Sequence, residues 1–242
     1  MVMKMSLGDI FSDAIKYPFS DITKFLIVGV IAVLAGLSSI VMSFKVHSFS
    51  VYGIASIIGF IFSLVLAGYG VSVIRNGISL SDEIPDIDLK ANLYDGVNAL
   101  IIAIVYLIIP VIVSVILMAV FGVIGASIDH AVAALGLVSI VVIVLFIIFG
   151  ILEVIALAKF ADTNDLGEAL SFREVYGDVK KIGIGKIILF LIIQFIIIAV
   201  AGIISSLIGY IPFVGIIISQ LVVGAFITLF SQRALGLLFI DD

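Results

Sequence analysis

Residues 187–232 carry the sequence IILFLIIQFIIIAVAGIISSLIGYIPFVGIIISQLVVGAFITLFSQ, a run of 46 residues without Asp, Glu, Lys, Arg or His. An apolar helix needs about 20 residues to cross a hydrocarbon core of about 30 Å. The run is therefore long enough for two crossings, and residues 209–215 in its middle supply the glycine and proline that are typical of a turn. This stretch predicts a transmembrane hairpin.

The composition of the chain points to the same class of protein. Only 12% of its 242 residues are charged, whereas a typical soluble domain is about 25% charged. No polar segment is long enough to fold by itself, so we expect residues 1–242 to form a single integral membrane domain. The chain contains no cysteine, and its net charge of −5 comes without a Lys/Arg cluster. These features disfavour thiol chemistry and nucleic-acid binding.

Charge-free runs elsewhere predict four more crossings, which gives an all-α bundle of six transmembrane helices arranged as three hairpins. The expected spans are residues 24–44, 51–74, 97–121, 132–158, 187–208 and 213–232. Short cytoplasmic amphipathic helices are expected over residues 6–17 and around residues 169–179. The first of these is equally consistent with binding to a membrane surface or partner and with packing beneath its own bundle.

Each hairpin is preceded by an aromatic residue shortly before an aspartate. The three pairs are Phe19 with Asp21, Tyr94 with Asp95, and Tyr176 with Asp178. Because a carboxylate at a helix start accepts hydrogen bonds from free backbone amides, we expect these aspartates to begin helices.

The distribution of lysine and arginine predicts the orientation. Eleven of the twelve fall on the side that carries both termini and both long connections, and Lys45 alone falls on the other. The positive-inside rule therefore predicts a multi-pass protein of the cell membrane with both termini in the cytoplasm.

One candidate packing surface lies on the second span. Ala55, Gly59, Ser63 and Ala67 recur at every fourth position. Small residues at this spacing let two helix backbones approach closely. The pattern favours packing within the chain, and homo-oligomerisation is the alternative.

Polar side chains inside the spans form a candidate intramembrane polar or ion site, made of Glu153, Gln194 and Gln220. An acid inside an apolar run is suited to cation binding or proton relay. However, Lys159 lies within two turns of Glu153, which favours a structural or interfacial role. For the two glutamines, hydrogen bonds between helices are favoured over a solute path.

No metal site, cofactor or catalytic centre is predicted. His47, Asp129 and His130 carry metal-ligand atoms, but they lack the spacing of a known site. No candidate nucleophile is accompanied by a base, and the G-x-S-x-G pattern does not occur, so we expect no enzyme.

Several short motifs are spread over most of the chain. They are AIKYP at 14–18, GYG at 68–70, VIR at 73–75, EIPD at 83–86, DGV at 95–97, AKFA at 158–161 and GEAL at 167–170. In these segments the chain resembles an uncharacterised archaeal membrane family, domain of unknown function 4013. The resemblance implies a multi-pass membrane protein of archaeal origin, and it brings no activity and no site residues.

Two functions are consistent with these observations. The sequence favours a non-enzymatic membrane protein that binds membrane lipid, a protein partner or a second copy of itself. A small transporter or channel for an ion or solute is the alternative. A polar, water-accessible cavity between the spans would distinguish the second function from the first.

The predicted orientation is testable because the chain has no native cysteine. Single cysteines at Ser81 and Thr163 should be protected from an impermeant thiol reagent in intact cells, whereas a cysteine at Ser48 should react. All three should react after the membrane is permeabilised. Labelling at position 81 in sealed cells would contradict the orientation.

Overall fold

The computed structural model describes residues 5–45, 48–124, 131–212 and 214–240. Every regular element within these ranges is helical, which confirms the all-α class. The elements are α1 (Leu7–Lys16), a 3-10 turn (Tyr17–Phe19), α2 (Ile22–Ala35), α3 (Leu37–Ser43), α4 (Phe49–Ile78), α5 (Leu89–Ile124), α6 (Ala131–Thr163), α7 (Leu166–Leu170), α8 (Phe172–Ile182), α9 (Ile184–Gly209), α10 (Gly215–Ser219), a π-helical turn (Gln220–Gly224) and α11 (Ala225–Phe239).

Within the described ranges, five helical stretches are long and apolar enough to cross a membrane, and a bent pair of helices can supply a sixth crossing. The five are Phe49–Ile78, Leu89–Val120, Gly136–Thr163, Ile184–Gly209 and Gly215–Phe239. The last runs seven residues beyond the expected end of its span at residue 232. The bent pair joins Leu7–Phe19 to Ile22–Ala35 at 86°.

The expected first span, residues 24–44, is not one continuous helix. It is divided at Gly36, whose φ of −85° and ψ of 11° leave the helical region and end α2. Glycine is a weak helix former, and the Gln220 side chain occupies the space beside it. A Cβ at position 36 would lie 3.1 Å from Gln220 Cδ. The break therefore packs against a residue that is far away in the sequence.

Helix α1 forms as its sequence predicts. Ser6 and Asp9 make the reciprocal hydrogen bonds of a capping box. The apolar face is buried, and the Phe11 ring stacks on Phe190 at 5.2 Å and contacts Phe230 at 6.1 Å between centroids. Of the two alternatives for this helix, the structure has its apolar face packed beneath the bundle.

Helix α4 lies at the centre of the bundle, because α5 and α11 both approach its backbone closely at glycine residues. A Cβ at Gly68 would overlap the carbonyl oxygen of Asn92 in α5, and one at Gly96 would overlap that of Leu64 in α4. Towards the end of α4, a Cβ at Gly77 would lie 2.9 Å from the Cα of Gly236 in α11. Both crossings leave no room for a side chain.

The small-residue stripe of α4 is divided between two environments. Ala55 is buried, and a Cβ at Gly59 would lie 3.0 Å from the carbonyl oxygen of Ala35 at the end of α2. Ser63 and Ala67 are exposed. The tightest helix crossing uses Gly68 instead, and a role for the stripe in oligomerisation stays a prediction.

Replacing Gly68 with alanine should destabilise the protein by about 1–3 kcal/mol or more, because two backbones would have to separate. Gly53→Ala is a matched control on the same helix, since no atom lies within 4 Å of the added Cβ. It should be neutral or stabilising by up to about 1 kcal/mol. Thermal unfolding in detergent measures both, and equal melting temperatures would contradict the close crossing.

Candidate functional site

Arg233 is the centre of a charged cluster at the end of the bundle that carries the long connections. It is 1% exposed, although it follows the longest charge-free run in the chain. Its guanidinium forms a paired contact with Asp13 of α1, with Nε 2.7 Å from Oδ1 and Nη2 3.3 Å from Oδ2. This contact ties the last helix to the first.

The same guanidinium also holds the connection between α4 and α5. Nη1 donates to the carbonyl oxygens of Ser81 at 2.5 Å and Asn76 at 3.3 Å, and Nη2 lies 3.2 Å from Asp82 Oδ1. The face of the group lies 4.7 Å from the centroid of the Tyr17 ring. The buried charge is therefore surrounded by acceptors, as a desolvated cation requires.

Tyr17, in the 3-10 turn before the first crossing, fastens the same connection by a second contact. Its hydroxyl donates to the carbonyl oxygen of Glu83 at 2.9 Å. Burial raises the pKa of the phenol to about 12, and the nearby Arg233 charge acts in the opposite direction. The hydroxyl therefore stays protonated at neutral pH and remains a donor.

Two further ion pairs lie at this end of the bundle. Arg75 Nη1 is 2.5 Å from Asp95 Oδ2, and Lys159 Nζ is 3.3 Å from Asp178 Oδ2. Asp21 begins α2 as expected, accepting from Thr23 N at 2.9 Å. The expectation that Asp95 and Asp178 also begin helices is wrong, because both lie inside helices, where their buried carboxylates pair with Arg75 and Lys159.

A polar cavity of about 400 Å³ adjoins the Arg233 cluster. Its walls come mainly from α1 and the 3-10 turn, and they carry both signs of charge. The lining residues are Met5, Asp9, Ser12, Asp13, Lys16, Tyr17, Ser20 and Asp82.

A second cavity, which we call the apolar groove, lies on the other side of α1. It has a volume of about 420 Å³ and is lined only by hydrocarbon side chains of α1, the 3-10 turn, α2, α9, the π-helical turn and α11. The lining residues are Ile15, Phe19, Phe25, Ile196, Ile197, Val200, Ala201, Ile204, Val222, Val223 and Phe226. From Ile196 to Ile204 it follows α9 for about 12 Å.

The groove exists because α9 is held at its two ends. Near its start, Ile187 and Phe190 are fully buried in the core that contains Phe11. Near its other end, the hydroxyl groups of Ser205 in α9 and Ser219 in α10 share a short hydrogen bond. Between these anchors the groove separates α9 from α2.

The structure does not join the three residues of the predicted intramembrane site. Glu153 is partly buried in α6 and makes no ion pair with any described residue, because Lys159 contacts Asp178 and Glu168 instead. Gln194 is partly buried in α9, and the Gln220 side chain occupies the space beside Gly36. Their role in ion or solute binding stays a prediction.

Metal ligands do not gather in the described ranges, where no group of three or more His, Asp or Glu side chains is suitably placed. His47, Asp129 and His130 lie outside the described residues.

The sequence predicted neither the Arg233 cluster nor the groove, because Arg233 entered the analysis only as one of the eleven Lys and Arg residues that indicated the orientation. One signal was present: residues 234–240 after Arg233 are all apolar or glycine, so the charge has apolar sequence on both sides. A cation within a membrane-spanning segment usually faces the interior of the bundle and is paired. Nothing local identified Asp13 as that partner.

An all-helical chain with five or six crossing-length apolar helices has the architecture of a polytopic membrane protein. A family model described as "Protein of unknown function (DUF4013)" matches residues 51–210, and the chain belongs to that family. The match covers most of the motifs on which the resemblance rested, from GYG at 68–70 to GEAL at 167–170. No curated protein and no solved structure matches the chain.

Replacing Arg233 with methionine should cost about 3–5 kcal/mol of stability, because it leaves the partly buried Asp13 carboxylate without its cation. Asp82→Asn removes a partner whose side chain is 92% exposed, so it should cost less than about 1 kcal/mol. Unfolding of both variants in one detergent measures the difference. Equal stabilities would show that the cluster does not hold the fold together.

Proposed function

We propose that the chain is a non-enzymatic integral membrane protein that binds membrane lipid, and that the apolar groove holds one acyl chain. The groove is the observation that carries this proposal. Its volume lies within the range of about 300–1,000 Å³ that is typical of ligand pockets. No polar side chain lines it, so it suits a hydrocarbon ligand and offers no hydrogen bond to a polar one.

The shape of the groove supports an acyl chain in particular. It is elongated along α9, parallel to the direction in which lipid tails run beside a crossing helix. At the mouth near the polar end, the Phe19 ring lies 5.8 Å from Phe25 and 6.0 Å from Phe226. Phe19 is 61% exposed, and aromatic rings at this level are typical of the boundary between hydrocarbon and headgroups.

A small transporter is a second candidate, which one observation favours. The break at Gly36 and the π-helical turn meet through the Gln220 side chain. Interrupted helices that meet within the membrane are typical of solute sites in transporters, and π-helical turns are often found at functional sites. Against this candidate, neither Glu153 nor Gln194 lines the polar cavity or the groove.

We also propose that the protein lies in the cell membrane with both termini and both long connections in the cytoplasm. The excess of Lys and Arg on one side supports this orientation. The cysteine-labelling experiment above tests it. In this orientation the Arg233 cluster and the mouth of the groove lie at the inner surface.

The groove is tested by Ala201→Trp, with Ala199→Trp as the matched control. Ala201 is 6% exposed and forms part of the groove wall, whereas Ala199 lies on an exposed side of the same helix. An indole at position 201 should fill the groove and displace the acyl chain.

The measurement is the lipid that remains bound after purification in mild detergent, read by native mass spectrometry. Wild type and Ala199→Trp should retain bound lipid, and Ala201→Trp should lose it. A phospholipid with a photoreactive acyl chain should likewise cross-link to wild type and to Ala199→Trp, and much less to Ala201→Trp. Equal retention by the two folded variants would overturn the groove as a lipid site.

A further inference from the structure

Helix α8 has two distinct faces. One face is buried in the bundle and consists of Val175, Asp178, Val179 and Ile182. The other is exposed and carries Phe172, Arg173, Tyr176 and Lys180. At about 100° per residue, these four side chains fall within an arc of about 100°, with the two aromatic residues on one flank and the two cations on the other.

Both ends of α8 are fixed to the crossing helices of the bundle. At its C-terminal end only Gly183 separates it from α9, and its φ of 93° suits glycine. At its N-terminal end the Phe172 ring lies 4.7 Å from Tyr106 in α5 and 6.2 Å from Phe149 in α6. The helix therefore lies along the edge of the bundle, with its aromatic flank continuous with the apolar surface of α5 and α6.

The charge on this face is positive. Lys180 Nζ lies 4.6 Å above the centroid of the Tyr176 ring, which holds the ammonium group beside the aromatic flank. The acid of the buried face, Asp178, is neutralised by Lys159 and Lys181. Glu174 is exposed on the far side of the arc, about 100° from Arg173.

We propose that the exposed face of α8 binds anionic lipid headgroups of the membrane surface at this end of the bundle. Phe172 and Tyr176 contact the hydrocarbon boundary, and Arg173 and Lys180 contact lipid phosphate. This pairing of aromatic and basic residues is typical of helices that lie in the membrane interface. An acidic protein segment fits less well, because it would leave the aromatic flank without an apolar contact.

This inference rests on the proposed insertion into a membrane and not on the acyl-chain groove, because no residue of α8 lines the groove. The chain contains no tryptophan, so Tyr176→Trp places a single fluorophore on the exposed face of α8. The full-length protein is reconstituted in phosphatidylcholine bilayers containing phosphatidylglycerol, with bromine atoms on the acyl chains of one lipid or the other. Quenching by each brominated lipid gives their relative association at this site.

We expect phosphatidylglycerol to associate up to about 25-fold more strongly than phosphatidylcholine, because each of the two basic residues near an anionic surface contributes about fivefold. In the same background, Arg173→Gln with Lys180→Gln should abolish the preference, and Arg173→Lys with Lys180→Arg should retain it. High salt should weaken it, since the interaction is electrostatic. Tyr210→Trp, which reports on a residue that is 83% exposed at the far end of α9, should show no preference.

Equal quenching by the two lipids in a protein with normal melting behaviour would overturn the proposal. Absence of quenching by either lipid would also overturn it, because position 176 would then lie away from the bilayer. Failure of the groove test with Ala201→Trp leaves the lipid preference at position 176 unaffected, so the two proposals fail separately.

Discussion

The guanidinium of Arg233 is a permanent positive charge that α11 carries into the interior of the protein. Moving such a charge out of water is costly, and the cost is offset only when several acceptors surround it. Asp13, two backbone carbonyl oxygens and Asp82 supply them, and Tyr17 covers the face of the group. Because these partners come from α1, the end of α4 and the following connection, satisfying one side chain fixes the position of three segments.

Glycine contacts provide the second constraint, and they act deeper in the bundle. Where α4 meets α5 and α11, the backbones approach so closely that no side chain fits at Gly68, Gly96, Gly77 or Gly236. In a membrane, lipid is as apolar as the helices, so no hydrophobic driving force brings the helices together. Close backbone contacts of this kind stabilise their association instead. Among the described residues, helix α9 has a comparable contact only at its end, where a Cβ at Gly215 would overlap the carbonyl oxygen of Ile208. It is held at its ends, and the apolar groove is the space that remains beside its middle.

The arrangement connects the charged cluster to the proposed lipid sites. Helix α1 and the 3-10 turn have the polar cavity on one side and the groove on the other. Arg233 holds α1 through Asp13, and Phe19 follows three residues after α1 at the mouth of the groove. The cluster therefore sets the geometry of the groove entrance without touching a ligand. Helix α8 presents a separate surface at the same end of the bundle, with aromatic residues beside basic ones.

The sequence alone determined the class of protein and much of its local structure. Charge-free runs located the five crossing-length helices of the described residues, because a hydrocarbon core excludes charge over a known length. The first expected span, residues 24–44, is instead divided at Gly36. The amphipathic pattern over residues 6–17 predicted α1, because its apolar residues recur at helical spacing. Short motifs were also sufficient to indicate the family, and most of them lie within the match at residues 51–210.

Only the tertiary structure decided which distant residues meet. Asp13 and Arg233 are 220 residues apart, and no local pattern relates them. Asp95 and Asp178 resembled helix starts locally, but they lie inside helices and pair with Arg75 and Lys159. Gln220 packs beside the break at Gly36, and the groove lies beside the middle of α9, between the two ends at which that helix is anchored. Local propensity and hydropathy act over one or two helical turns. These features arise instead from the neutralisation of buried charge and from backbone contacts between helices that are distant in the sequence.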